Sequence, residues 1–559
     1  MPLNRTWWKE GVVYQIYPRS FMDSNGDGIG DLAGIAEKAD YIASLGVDIV
    51  WLNPVYRSPN KDNGYDISDY EEVMEEFGTM ADFDRLVAAL HERGIRVVMD
   101  LVVNHSSDEH PWFRDSRSSK LSSKRDWYIW KPGRAGGPPN NWKACFGGGA
   151  WELDPATGEY YLHLFDPGQP DLNWENPELR KAVYAMMRRW FERGIDGFRM
   201  DVVTLFSKDP SYRDLAPGEG IFSSTAPYVF GPRLHEFIRE MRREALDGFD
   251  VMTVGEAPGS TVENALELVG EGRGELDMLF QFELMGVDHK DGDKWRQRPI
   301  DLVEVKRIIE RWQLGLAGRA WNSNYLMNHD QPRSVSRFGD GGRYRRESAK
   351  ALLLLNFSLG GTPYIYQGEE LGMANVAFSS ISDYRDVETL NYYKEALAAG
   401  RSPDEAMRSI HYMSRDNART PMQWSSGPNA GFSSGSPWIG LNPDHASVNA
   451  ETEEADPDST LNFARAIIKF RREHKCLVYG SFGLLAREDP RLFAFAREGE
   501  GERLLVEINM SREAVRATAP SRGATILISN LGAAGGLAPG TLEPWEARIS
   551  ALRQAFSPV

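Results

Sequence analysis

Short apolar or β-branched runs alternate with stretches whose apolar residues recur at helical spacing along most of the chain. Eight runs read as strands: residues 12–18, 48–54, 96–104, 197–203, 251–256, 276–283, 324–330 and 362–368. Between them, residues 33–45, 80–93, 178–193, 232–246, 302–316 and 346–359 carry apolar positions at the 3.6-residue period of a helix that buries one face. Strands alternating with helices in this way predict a parallel sheet wrapped by helices, and eight such units predict an α/β fold of the (β/α)8 TIM-barrel type.

The alternation is interrupted twice. Some seventy residues rich in Gly, Pro, Trp and Ser separate the third strand from the next helix. A bare loop is rarely that long, so a small inserted domain is expected there. A second insertion, about 371–439, follows the eighth strand. After residue 478 short alternating runs (491–495, 503–508 and 524–528) predict an antiparallel β-domain. The expected division is a barrel over 1–104 and 175–477, an inserted domain over 105–174 and a C-terminal domain over 478–559.

Composition narrows the functional classes. The 559 residues are 41% hydrophobic and 26% charged, as in folded proteins, and the net charge of −17 comes with no dense Lys/Arg stripe. A nucleic-acid partner is therefore not expected. No apolar run approaches the ~18 residues of a membrane span, and the first residues form no apolar signal core. Two cysteines, Cys145 and Cys476, suit a reducing compartment. A cytoplasmic protein, monomeric or a small homo-oligomer, is expected.

The candidate chemistry lies at strand ends, where this fold gathers its active sites. The fourth predicted strand ends in Arg199-Met200-Asp201, the fifth in Glu256 and the seventh in His329-Asp330, while His105 follows the third. An apolar strand has no packing reason to end in a carboxylate. Three of them converging on one rim suit glycoside hydrolysis, in which one carboxyl attacks and another donates a proton. Arg199, two residues before Asp201, projects to the same side and would keep that carboxylate ionised. Metal ligation by the histidines lacks any His-x-x-x-His or Cys-x-x-Cys spacing, and neutral donors to sugar hydroxyls fit them better.

The stretches 100–105, 197–201, 255–256 and 328–330 resemble, in order and spacing, the four signature regions of the α-amylase superfamily, glycoside hydrolase family 13. The resemblance covers nearly the whole chain. It implies Asp201 as nucleophile, Glu256 as acid/base and Asp330 as stabiliser of the transition state. It further implies a terminal-glucose pocket of Arg199, His105, His329, Asp62, Tyr65 and Arg415. The run from Gln169 to Pro177 is similar to the marker of the oligo-1,6-glucosidase subgroup, and Val202 matches relatives that cleave α-1,6 bonds. Phe146, Phe165 and Trp51 are further candidates to line the pocket. The implied activity is exo-acting removal of glucose from small oligosaccharides of the isomaltose type. Trehalose-6-phosphate hydrolase, α-1,4-glucosidase and sucrose isomerase are the enzymic alternatives. A catalytically dead binding relative is the non-enzymic one, and the intact carboxylate set argues against it.

Oxygen donors alternate in Asp23-Ser24-Asn25-Gly26-Asp27-Gly28-Ile29-Gly30-Asp31. The first six positions fit an EF-hand loop, but its bidentate Glu is absent and a strand precedes it. The expectation is a structural Ca2+ held by Asp23, Asn25, Asp27, the Ile29 carbonyl and Asp31, which the resemblance also favours. The alternative is an Asx-rich turn that needs no metal. No organic cofactor is expected.

Overall fold

A computed structural model describes residues 4–552, apart from residues 522 and 533. Its centre is an eight-stranded sheet formed by β1 (Val13–Ile16), β2 (Ile49–Leu52), β3 (Arg96–Leu101), β4 (Gly197–Met200), β5 (Met252–Glu256), β6 (Met278–Phe280), β7 (Ser323–Asn324) and β8 (Thr362–Tyr366). The strand order is β6-β5-β4-β3-β2-β1-β8-β7, with every neighbouring pair parallel. Strands such as Ile49-Val50-Trp51-Leu52 are buried along their whole length because helices cover the sheet's outer side. The two end strands are joined through side chains: the Ser323 hydroxyl donates to the Leu279 carbonyl, and Tyr325 donates to the Gln281 carbonyl at 2.7 Å.

All eight expected strands are present, each shorter than the sequence pattern predicts and the seventh most of all. The seventh stops at Asn324, and residues 325–330 leave the ladder, because the Asn328 side chain takes the Asp330 N–H and turns the chain. The predicted helix over 33–45 is broken at Lys38 into Leu32–Glu37 and Ala39–Ser44, and that over 232–246 ends in a wide π-turn, Arg242–Leu246. By contrast, Asn176 caps Pro177–Glu192 from its side chain, with Pro177 at the first helical position, where its missing N–H costs nothing.

Between β3 and Pro177 lies a three-stranded antiparallel sheet with Glu159–Leu162 between Trp130–Pro132 and Trp151–Asp154. Near the C-terminal end, a five-stranded antiparallel sheet is built on β9 (Ser481–Leu485), β10 (Leu492–Gly499), β11 (Glu502–Asn509), β12 (Thr525–Ser529) and β13 (Ala547–Ala551). Buried cations join it to the barrel. Arg497 donates to the carbonyls of Ser358 and Leu477, and Lys306 to those of Ala486, Asp489 and Leu492. Carbonyls rather than carboxylates satisfy these charges, so removing either cation leaves unpaired acceptors buried in the seam. No helix among the described residues is long and apolar enough to cross a membrane.

Candidate active site

The strand ends of the barrel and the loops beyond them enclose a cavity of about 760 Å³. Asp62, Tyr65, His105, Phe146, Phe165, Asp201, Val202, Glu256, Asp330 and Arg415 all line it, although they come from eight separate stretches of the sequence. Arg199 and His329 lie directly beneath these groups.

Arg199 organises the floor. Projecting from β4, its guanidinium is almost wholly buried and meets Asp100 at 2.6 Å, Asp201 at 2.7 Å and Glu256 at 2.6 Å. Burial raises all three carboxyls, and Arg199 pulls each back down: Asp100 to about 6, Asp201 to about 6 and Glu256 to about 7. Asp201 and Glu256 thus share one guanidinium. That shared partner suits a nucleophile and a proton donor working one bond.

Val202, immediately after Asp201, has φ 36° and ψ 46°. A β-branched residue rarely takes this left-handed conformation, and such strain collects at functional sites. Here it turns the Val202 N–H toward Glu256 Oε2, 3.2 Å away.

Asp330 is treated oppositely. Burial would raise it, yet His329 at 3.2 Å and the guanidiniums of Arg415 (3.3 Å) and Arg419 (2.9 Å) hold it well below the usual carboxylate range. His329 is fixed by Gln15, whose amide lies 2.8 Å from its Nδ1, and stacks on Tyr65 with ring centroids 5.2 Å apart. The Tyr65 hydroxyl donates to Asp100 at 3.0 Å.

One wall belongs to Asp62, which accepts from Arg415 at 3.0 Å and from the Gln169 amide at 3.1 Å, and which burial lifts to about 7. Gln169 is fully buried behind the cavity and also contacts His105 at 3.2 Å, so it orients two lining residues without lining the cavity itself. His105 is pushed down to about 4 by burial, which makes it a neutral ring near neutrality. Phe165 packs on His105, and Phe146 packs on Phe165 and beneath the Arg415 guanidinium. Trp51 does not line the cavity. Its indole N–H donates to Asp100 from below, 3.1 Å away, because β2 carries it into the barrel interior.

Several groups in or behind the cavity wall were not visible in the sequence pattern. Asp386 caps the helix Val387–Ala398 and grips Arg415 at 2.6 Å. Glu388, in the first turn of that helix, pairs with Lys294 at 2.7 Å at the cavity's edge. Both acids sit in the second insertion, where the periodic pattern marks helices but not what they face.

The loop 23–31 lies elsewhere and is closed by its own hydrogen bonds. Asp23 accepts the N–H groups of Asn25, Gly26 and Gly28, Asn25 accepts that of Asp27, and Asp27 accepts that of Ile29. Asp31 caps Leu32–Glu37 by accepting the Gly34 N–H and also takes the Ser24 hydroxyl. Among the described residues, no three His, Cys, Asp or Glu side chains stand gathered to hold a metal ion.

Comparison with known proteins places this cavity. The profile of the α-amylase catalytic domain matches residues 15–480, a span that contains every residue that lines the cavity. The chain belongs to the α-amylase catalytic-domain family. Within that family it is 52% identical to an oligo-1,6-glucosidase of Parageobacillus thermoglucosidasius, over 99% of this chain and 100% of that protein. Its fold also superposes on the crystal structure of a trehalose-6-phosphate hydrolase from Bacillus licheniformis (TM-score 0.94, 45% identity) and on that of an isomaltulose synthase from Klebsiella sp. LX3 (TM-score 0.95, 42% identity). Each alignment covers 98% of this chain and all of the other.

Proposed function

We propose that this α-amylase-family protein is a retaining, exo-acting α-glucosidase that cleaves terminal α-1,6 bonds of isomaltose-type oligosaccharides. The observation that carries the proposal is the sharing of one buried guanidinium by Asp201 and Glu256 at the floor of a walled cavity. In this reading Asp201 attacks the anomeric carbon while Glu256 gives its proton to the leaving oxygen. A glucosyl–Asp201 ester results, and Glu256, now a carboxylate, takes a proton from the water that cleaves it. Asp330, kept anionic by its three cationic or imidazole neighbours, faces the positive charge that develops on the ring. Asp62, His105 and Arg415 supply hydroxyl partners around a single glucosyl unit, His329 supports them from behind, and Val202 touches the bond-side wall. The family kinship and the similarity to oligo-1,6-glucosidase along the full chain support this choice.

A phosphorylated disaccharide suits the cavity less well. Its lining holds seven carboxylates (Asp62, Asp201, Glu256, Glu283, Asp293, Asp330 and Glu388) against two cations, Lys294 and Arg415, and both cations are already paired with acids. A panel of isomaltose, panose, maltose, sucrose and trehalose-6-phosphate tests the proposal. The highest kcat/KM is expected on isomaltose or panose; a highest value on any of the other three overturns the assignment.

The same chemistry fixes a pH dependence. Activity needs Asp201 ionised and Glu256 protonated, and burial sets these carboxyls at about 6 and about 7. A plot of kcat/KM against pH should therefore peak between about 6 and 7 and fall on both sides. Glu256→Gln should abolish the alkaline limb along with most activity. A profile that stays flat to pH 9 would remove Glu256 from the proton-donor role.

For the loop 23–31 we propose a bound Ca2+, supported by its set of hard oxygen donors: Asp23, Asn25, Asp27, Asp31 and the Ile29 carbonyl. Their carboxylate oxygens keep free lone pairs beyond the N–H bonds they accept, and an ion would draw them together. Calorimetric melting in EDTA should show a lower Tm that added Ca2+ restores. An unchanged Tm assigns the loop to its hydrogen bonds alone. A cytoplasmic location is proposed on the two cysteines, both free.

A further inference from the structure

The chain leaves β4 and β5 in two turns that are bound to each other. After Asp201, the strained Val202 leads into a single 3-10 turn, Val203–Leu205, whose middle residue is Thr204. Thr204 is fully buried and does not line the cavity. Its carbonyl accepts the Phe230 N–H at 2.9 Å, and its hydroxyl donates to the Pro258 carbonyl at 3.0 Å, across 54 residues of sequence. Pro258 stands two residues after Glu256 and lines the cavity. Its ring already fixes φ, so a bond that also fixes its carbonyl leaves this residue no free backbone rotation. Gly255, one residue before Glu256, lets the turns close, since a Cβ there would lie 2.7 Å from the Val203 side chain.

These contacts decide which oxygen of Glu256 carries its proton. Oε2 receives two donors, the Arg199 guanidinium at 2.6 Å and the Val202 N–H at 3.2 Å. Its lone pairs are thereby taken, so the proton belongs on Oε1. A half-turn of the carboxyl would exchange the two oxygens and present the proton to the wrong side. Terminal carboxyl torsions are broad and roughly two-fold, so the side chain's own preferences do not prevent that. The relative placement of the two turns does, because one carries the Val202 donor and the other carries Glu256.

We propose that Thr204 is a positioning residue for the proton donor: by tying the turn after the nucleophile to the turn after Glu256, it keeps the Val202 N–H on Oε2 and the proton on Oε1, facing the bond to be cleaved. The inference rests on the α-glucosidase reading above. Thr204 touches no substrate and acts through Pro258 and Val202.

The test compares leaving groups. A sugar alkoxide needs a proton to leave and 4-nitrophenolate does not, so a misplaced donor penalises isomaltose far more than 4-nitrophenyl α-glucoside. Thr204→Val keeps the side chain's shape and removes the hydroxyl. Its kcat/KM, which reports the first bond cleavage, should fall about ten- to a hundredfold on isomaltose and by less than about threefold on the aryl glucoside. Thr204→Ala, which also lacks the donor, should show the same contrast. Thr204→Ser keeps the hydroxyl and should return isomaltose kcat/KM to within about threefold of wild type, although its Tm falls through the lost methyl. A merely structural threonine would lower both substrates alike, in step with Tm. Equal losses on the two substrates, no loss on isomaltose, or no rescue by serine overturns the proposal. A wild-type enzyme that cleaves neither substrate overturns the α-glucosidase reading itself. If it cleaves the aryl glucoside but not isomaltose, the α-1,6 assignment alone fails, and the comparison is made with the disaccharide it does cleave.

Discussion

Asp201→Asn should lower kcat on isomaltose by on the order of 10⁴-fold or more while leaving the fold intact. The amide keeps the shape of the carboxylate but cannot form the glycosyl ester, so the covalent step is lost rather than slowed. Stability should change little, because Arg199 retains Asp100 at 2.6 Å and Glu256 at 2.6 Å and the variant removes a carboxylate that burial already disfavours. Calorimetry and kinetics on one preparation separate the two effects: a large loss of kcat with an unmoved Tm is the expected pair. The wild-type reaction followed by proton NMR should release α-glucose first, since two displacements at one carbon restore its configuration. Near-normal turnover in the variant, or β-glucose as the first product, would remove Asp201 from the nucleophile's position.

The three carboxylates of this site were legible in the sequence because the barrel imposes a rule on them. A parallel strand buried on both faces should be apolar throughout, and Asp201, Glu256 and Asp330 each break that expectation at the C-terminal end of a strand predicted from the sequence. Arg199 was legible for a related reason, its two-residue offset from Asp201 along the same strand. Asp386, Glu388 and Lys294 were not, because they stand in helices, loops or hairpins whose polar residues look like any solvated surface until the chain folds back over the barrel rim. Their signal is tertiary, as in the Arg415–Asp386 contact between residues that no local period relates. Trp51 shows the converse. Its aromatic character suggested a sugar platform, but its place in an all-buried strand dictates an interior partner, and it supports Asp100 instead. The seventh strand was overread because β-compatible residues continue past Asn324, where a side-chain turn at Asn328 ends the ladder.

Replacing Arg199 by leucine should be the most destabilising single change in the site, and its cost should depend on pH. In the wild-type protein the guanidinium is the shared partner of Asp100, Asp201 and Glu256, all nearly out of contact with solvent. Leucine fills most of the volume and leaves three buried carboxyls facing one another with no cation. Breaking a buried ion pair from one side typically costs about 3–5 kcal/mol, because the remaining charge is uncompensated. Burial already sets these groups at about 6, 6 and 7 despite Arg199's pull, so its loss moves them further up. Carboxyls whose folded pKa lies above the unfolded value of about 4 hold their protons longer in the folded state, so stability falls as pH rises between the two. Below pH 4 both states are protonated and this charge penalty vanishes; above the folded values it is complete. The Tm deficit of Arg199→Leu relative to wild type should therefore be small near pH 4.5, grow steadily through neutrality and level off above pH 8. A deficit of constant size across that range would mean that Arg199 supports the fold through packing alone, and that the charges it touches do not govern one another.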